Sequence, residues 1–273
     1  MRPDFFSSTR PLVMGIINVT PDSFSDGGLF TTADDAVACA LKMVEDGADI
    51  IDIGGESTRP DAMPVGEEEE LKRVMPVIDQ LARSVTVPLS IDTTKARVAR
   101  EALDAGASIV NDVSALRFDA AMAKLVAQNG AFVILMHMQG TPGTMQKKPS
   151  YRNVVEEVFS FLDERIRSAE SFGIPKDRIV IDPGIGFGKT VEHNLSLLKH
   201  IARFHDLGCP MMVGVSRKSL IGAVTGMPVN ARLFGTASIV AHCVMEGIQV
   251  HRVHDVREMR QVCDMAVAIR DSV

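Results

Sequence analysis

The sequence of 273 residues is 46% hydrophobic and 23% charged, with both signs mixed along it, so it reads as a globular chain with a sizeable core rather than a disordered one. Its net charge of −6 argues against a broad nucleic-acid or anionic-lipid surface, both of which need clustered Lys and Arg. Four scattered cysteines without C-x-x-C spacing suggest neither a disulfide framework nor a zinc site.

No apolar stretch approaches the roughly 20 residues that cross a bilayer, and the N-terminus, with an acid beside its early arginine, is a poor signal peptide. The expected location is the cytoplasm. Apolar runs of strand length recur at residues 11–18, 48–55, 87–92, 107–112, 131–137, 179–184, 210–216 and 248–254. They are continuously apolar and rich in Val and Ile, as in strands covered on both faces of a parallel sheet. Between them lie helical segments such as "ADDAVACALKMVEDG", "EEELKRVMPVIDQLARS", "KARVAREALDAG", "DAAMAKLVAQNG", "VVEEVFSFLDERIRSAESFG", "HNLSLLKHIARFHDLG" and "GTASIVAHCVMEG". A glycine stop recurs at Gly47, Gly106, Gly130, Gly173, Gly208 and Gly247, where a left-handed C-terminal cap carries no steric cost.

Eight βα units match a single (β/α)8 TIM barrel spanning residues 1–273, although a doubly wound open sheet shares the pattern. The acids Glu67 to Glu70 suit the first turn of a helix. Two segments exceed what barrel loops need, "TPDSFSDGGLFTT" after the first strand and "GESTRPDAMPVG" after the second, and long βα loops are usually functional.

The stretch "IVIDPGIGFGKT" imitates a nucleotide loop, but Pro183 stands where the Walker pattern needs its first glycine, and Lys189 where the dinucleotide fingerprint needs its third. It ends a strand in Asp182. In a barrel all such ends share one rim, where active sites sit. The other ends carry Asn18; Asp52 and Glu56; Asp92; Asn111 and Asp112; His137; Ser216, Arg217 and Lys218; and Arg252, His254 and Asp255. Each alone has a structural explanation: Asp92 can start a helix, Asn111 or Asp112 can cap a turn, and His137 suits a satisfied core position. Coincidence over eight strands points to a polar pocket, since unpaired buried carboxylates are costly. Arg59, Lys218, Arg252 and His254, with N–H groups at Gly27–Gly28 and Gly54–Gly55, suit an anionic end of the ligand, and a phosphorylated small molecule fits.

The blocks "NVTPDSFSDGG", "GGESTRP", "SIDTTK", "NDVSA", "MHMQGTP", "DPGIGFGKT", "VGVSRKS" and "RVHDV" occur in the order found in the dihydropteroate synthase family, and the resemblance runs from about Val13 to the final helix. It implies a pterin-binding barrel that joins p-aminobenzoate to 6-hydroxymethyl-7,8-dihydropterin diphosphate, releasing pyrophosphate, in folate biosynthesis. By the same resemblance Asp92, Asn111, Asp182 and Lys218 bind the pterin, and Arg252 stacks on its plane and touches the diphosphate. Asn18, Thr58 and His254 sit on the diphosphate side, with Asn18 a ligand of Mg²⁺. Phe24, Thr58, Arg59, Pro60 and Ser219 surround p-aminobenzoate, and Asp26 lies near the reacting methylene. Lys218, Arg252 and Asp26 are the implied catalytic residues. The implied chemistry is diphosphate loss followed by amine attack, with direct displacement as the alternative. The resemblance also implies a homodimer; the late apolar helices suit that contact and suit burial against the barrel equally well. Asp61 departs from the family, which often has Gly there. Two rival readings are a methyltransferase barrel of the same pterin fold, which has no reason to carry "TPDSFSDGG", "GESTRP" and "SRKS", and a barrel that binds without catalysis.

Overall fold

The first strand, β1 (Leu12–Asn18), is buried along nearly its whole length because it lies inside a wheel of parallel neighbours. The computed structural model describes residues 5–7, 10–20, 32–57 and 63–272. Around β1 stand β2 (Ile50–Gly54), β3 (Leu89–Asp92), β4 (Ile109–Asp112), β5 (Phe132–Met136), β6 (Ile179–Asp182), β7 (Met212–Gly214) and β8 (Val250–Val253). All pair in parallel in the order β6-β5-β4-β3-β2-β1-β8-β7. A parallel bridge between Ile181 and Met211 joins the two ends, so the sheet closes into a (β/α)8 barrel and the open-sheet alternative falls.

The helices follow the strands: α1 (Ala33–Glu45), α2 (Glu67–Ser84), α3 (Ala96–Asp104), α4 (Met122–Asn129), α5 (Val154–Ser171), α6 (Val191–Lys199), α7 (Ser219–Thr225), α8 (Leu233–Met245) and α9 (Val256–Arg270). In α2 the four acids occupy the first turn, and Val74, Val77, Ile78 and Leu81 recur with helical spacing on the buried face. The six expected glycine stops all have positive φ, from 58° at Gly130 to 119° at Gly106.

One expectation needs correction. The segment 193–208 is not one helix: α6 ends at Lys199, and a 3-10 helix runs from Ile201 to Leu207. The reason is in the spacing. Leu198, Ile201, Phe204 and Leu207 are all buried and recur every third residue, which is the period of a 3-10 helix rather than of an α-helix. The short α7 also lies where the apolar pattern marks no helix.

Inside the barrel an apolar floor is built from Phe6, Leu12, Met14, Ile50, Ile109, Phe132, Ile134, Val180, Met212 and Val250. The ring of Phe6, from the segment before β1, meets Phe132 edge-on at 5.1 Å. Side chains of a strand alternate between its faces, so the next inward position lies two residues on, about 6.6 Å higher. At that level Ile50 gives way to Asp52, Ile109 to Asn111, Val180 to Asp182 and Val250 to Arg252. The barrel is thus a polar well on a hydrophobic base.

Candidate active site

Asp52 of β2, fully buried, accepts from Arg252 Nε of β8 at 2.6 Å and from Asn111 Nδ2 of β4 at 3.2 Å. Neither partner is on a strand next to β2, so these bonds can form only across the barrel interior. The same guanidinium donates through Nη2 to Asp92 Oδ2 of β3 at 2.8 Å. Gly214 of β7 borders the same cluster: a Cβ there would make ordinary contact with Arg252 Cβ at 3.8 Å and Lys218 Nζ at 4.0 Å. Four strands and the loop after β7 therefore converge on one cluster.

Burial raises Asp92 to about 7, with Arg252 opposing the shift and Asp52 adding to it. Burial also raises Asp182, with Lys218 and the Gly184 amide pulling the other way; that amide donates to Asp182 Oδ1 at 2.7 Å. Lys218 is lowered by burial to about 8, Asp182 resisting the shift and Arg252 adding to it. For Arg252 burial acts against the charge, but Asp52 and Asp92 outweigh it and raise its affinity for the proton. The well holds two groups poised near neutrality beside a permanent cation. Its buried oxygens Asp52 Oδ1, Asn111 Oδ1 and Ser90 Oγ have no hydrogen-bond partner, which suits a ligand rich in donors.

The loop "DPGIGFGK" after β6 is built for close backbone approach. Gly184, Gly186 and Gly188 all have positive φ, and a Cβ on Gly184 would fall 1.9 Å from the carbonyl oxygen of His137. Lys189, which the nucleotide-loop pattern would direct to phosphate, is buried instead. Its Nζ reaches Gly184 O at 2.8 Å, Phe187 O at 2.9 Å and His137 Nδ1 at 2.9 Å. Burial, assisted by Lys189, lowers His137 to about 2, so His137 is a satisfied core histidine.

Toward the rim, Asn18 ends β1 beside Gly54, and His254 pairs through Nδ1 with the buried Ser216 Oγ at 3.0 Å. Ser219 is exposed at the start of α7, directly after Lys218. Asp112 is not part of the ligand cluster; its carboxylate accepts from the amides of Ser114 and Leu116 and holds the turn after β4, where Ala115 and Leu116 have positive φ. Likewise Arg217 is tied to Asp255 at 2.5 Å. At the neck of the second long loop, Glu56 accepts from Val65 N at 3.1 Å and pairs with Lys95, which also binds the fully buried Glu70 at 2.5 Å. Phe24, Asp26, Thr58, Arg59, Pro60 and Asp61 lie outside the described residues.

The sequence reading assigned Asp52 no role, yet it organises the cluster. The available signal is its parity: two residues above Ile50, it shares the inward face of β2. Ser216, the partner of His254, was likewise without a role.

A closed parallel barrel whose polar, ligand-sized chemistry gathers at the C-terminal strand ends defines a barrel enzyme. A family model described as pterin binding enzyme matches residues 14–254. Dihydropteroate synthase of Escherichia coli (strain K12) is 47% identical over 250 residues, covering 92% of this chain and 88% of that one. The structure of Yersinia pestis dihydropteroate synthase with a sulfonamide drug complex has a TM-score of 0.94 at 44% identity, covering 97% of this chain and 96% of that one. The Xanthomonas albilineans dihydropteroate synthase in complex with 7,8-dihydropteroate has a TM-score of 0.88 at 43% identity, covering 100% and 97%. The chain belongs to the dihydropteroate synthase family of pterin-binding enzymes.

Proposed function

We propose that this chain joins p-aminobenzoate to 6-hydroxymethyl-7,8-dihydropterin diphosphate, giving 7,8-dihydropteroate and pyrophosphate. One observation carries the reading onto its own residues: Asp52 and Asp92 already grip a planar guanidinium through Nε and Nη2. The amino-pyrimidine edge of a pterin presents the same flat N–H donors, and the unpartnered oxygens of Asp52 and Asn111 add acceptors beside them.

In this reading Asp92, Asn111 and Asp182 accept from the pterin edge, and Lys218 donates to its carbonyl and a ring nitrogen. Arg252 releases Asp92 as the pterin enters and lies across its plane, where a guanidinium stacks as an ammonium cannot. Asn18, Thr58 and His254 face the diphosphate. Phe24, Thr58, Arg59, Pro60 and Ser219 surround p-aminobenzoate, and Asp26 stands near the methylene.

The methylene–oxygen bond breaks with its electron pair leaving on the diphosphate, and the ring spreads the resulting positive charge. The aromatic amine then forms the carbon–nitrogen bond and gives its proton to water. Preorganised charge and positioning supply the acceleration, so no covalent nucleophile is assigned.

Among the described residues no group of three His, Cys, Asp or Glu could hold a metal. Mg²⁺ fits nonetheless, because an ion that keeps most of its waters and takes substrate phosphate oxygens needs little more than the single amide oxygen of Asn18. When bound it would supply positive charge against the departing diphosphate.

A homodimer is supported by the concentration of exposed apolar side chains late in the chain, including Val224, Met227, Phe234, Met265 and Ile269, with Phe234 82% exposed. The four cysteines are free, as in a reducing compartment such as the cytoplasm, and no described helix is long and apolar enough to cross a membrane. The deciding experiment mixes the protein with both substrates, with and without Mg²⁺. Pyrophosphate must appear together with dihydropteroate; its absence in the presence of Mg²⁺ rejects the reading.

A further inference from the structure

We propose that Lys189 is a positioning residue for Lys218, acting through the curled segment Gly184–Lys189 and anchored on the His137 ring. The inference rests on the reading of Lys218 as a pterin contact and extends it to the structure behind that contact.

Lys218 meets this segment three times. Its Nζ donates to the carbonyl of Ile185, its ammonium lies 4.5 Å from the centre of the Phe187 ring, and its Cδ would be 3.1 Å from a Cβ on Gly186. The carbonyls that Lys189 holds, Gly184 O and Phe187 O, flank the one that holds Lys218. Lys189 therefore fixes the segment on both sides of Ile185. The glycines cannot do so themselves, because residues with free access to positive φ lose rigidity unless something outside them restrains the backbone. The Gly184 amide also binds Asp182 Oδ1, so the same curl presents the carboxylate that faces Lys218.

The restraint reaches the barrel wall. Lys189 Nζ is anchored on His137 Nδ1 at 2.9 Å, and His137 ends the run of β5 next to β6. Burial lowers the proton affinity of Lys189 as well as that of His137, so a hydrogen bond rather than an ion pair joins the two side chains. The ring is held edge-on against Phe161 at 4.8 Å, which leaves it little freedom to turn. Gln146, Tyr151 and Asn194 add bonds to Gly186 O, Gly188 O and Gly186 N.

The test is a binding cycle with Lys189→Met, Lys218→Ala and the double variant, measuring Kd for the pterin diphosphate by calorimetry. Lys189→Met should weaken binding roughly 10-fold in the parent and less than about 2-fold in the Lys218→Ala background, because residues that act as one unit are not additive. A purely structural lysine would weaken both backgrounds equally, and that result overturns the proposal. A second arm needs no substrate: acylation of Lys218 by acetic anhydride, followed by peptide mass spectrometry, should accelerate severalfold in Lys189→Met as its amine loses a fixed acceptor. An unchanged rate overturns the proposal even in a protein that turns over normally. If the parent binds no pterin, the functional reading fails while the labelling arm still decides this one. Should Lys189→Met not fold, His137→Phe removes the hydrogen-bonding nitrogen while keeping a ring, and the same outcomes apply.

Discussion

Replacing Asp52 with Asn should move the acid limb of activity downward in pH. In the proposed reaction Asp92 accepts from the pterin as a carboxylate, and its value, raised to about 7, is expected to set the rising limb of kcat/KM for the pterin diphosphate. Lys218, lowered to about 8, is read as donating in its protonated form and is expected to set the falling limb. Asp52 and Asp92 sit on neighbouring nitrogens of one guanidinium, so their charges lie about 5 Å apart. At an effective dielectric of about 20 to 40, the repulsion is roughly 2–3 kcal/mol, or one to two pH units. Asn removes that repulsion and leaves Arg252 undivided for Asp92, and both effects lower its proton affinity. The assay is initial-rate pyrophosphate release at limiting pterin diphosphate across pH 5 to 9. Ionisation of the substrate is common to both proteins and cancels in the difference. An acid limb that stays in place or moves upward would refute the electrostatic account, whatever the absolute rate. The linked stability effect has a definite sign. Because Asp92 is raised on folding from an ordinary 3.8, its contribution is fully present below about 4 and is lost as pH rises through about 7. Asp52→Asn should therefore flatten the fall in stability over that window, as read by urea denaturation.

Three further outcomes are expected. Lys218→Ala should lower turnover by a factor on the order of a hundred or more while the barrel still folds, as read by circular dichroism, since it removes a pocket cation; near-parental activity would sink its assignment. Gly184→Ala places a Cβ on the His137 carbonyl at a φ of 68° and should destabilise the fold by at least about 3 kcal/mol in urea titration. Lys95→Met leaves Glu70 buried without its cation and should lower stability by about 3 kcal/mol, as read by urea denaturation.

The barrel was legible because its signals are local and repeated: glycine stops at positive φ, Val- and Ile-rich strands, acids opening α2. The residues that face the well were legible too, since Asp92, Asn111, Asp182 and Arg252 all lie at strand ends. Asp52 was harder to read because it stands mid-strand, and its role depends on bonds across the barrel to residues 59 and 200 positions away. The role of Lys189 was hidden for the opposite reason. A glycine-rich run ending in lysine has a familiar use, and only the close approach of the His137 carbonyl to Gly184 shows that the glycines serve backbone packing. The 3-10 turn after α6 was encoded in a three-residue apolar spacing that a search for 3.6-residue periodicity absorbs into the preceding helix.

The junction of β6 and β7 gives the cylinder a preferred line of rupture. Elsewhere neighbouring strands are laced by continuous ladders, but here a single bridge at Ile181 and Met211 completes the circle. Asp182 and Lys218 stand on opposite banks of that gap. A molecule held by both would act as a rivet, so deuterium uptake by the amides flanking this junction should slow on pterin binding more than uptake anywhere else in the wall.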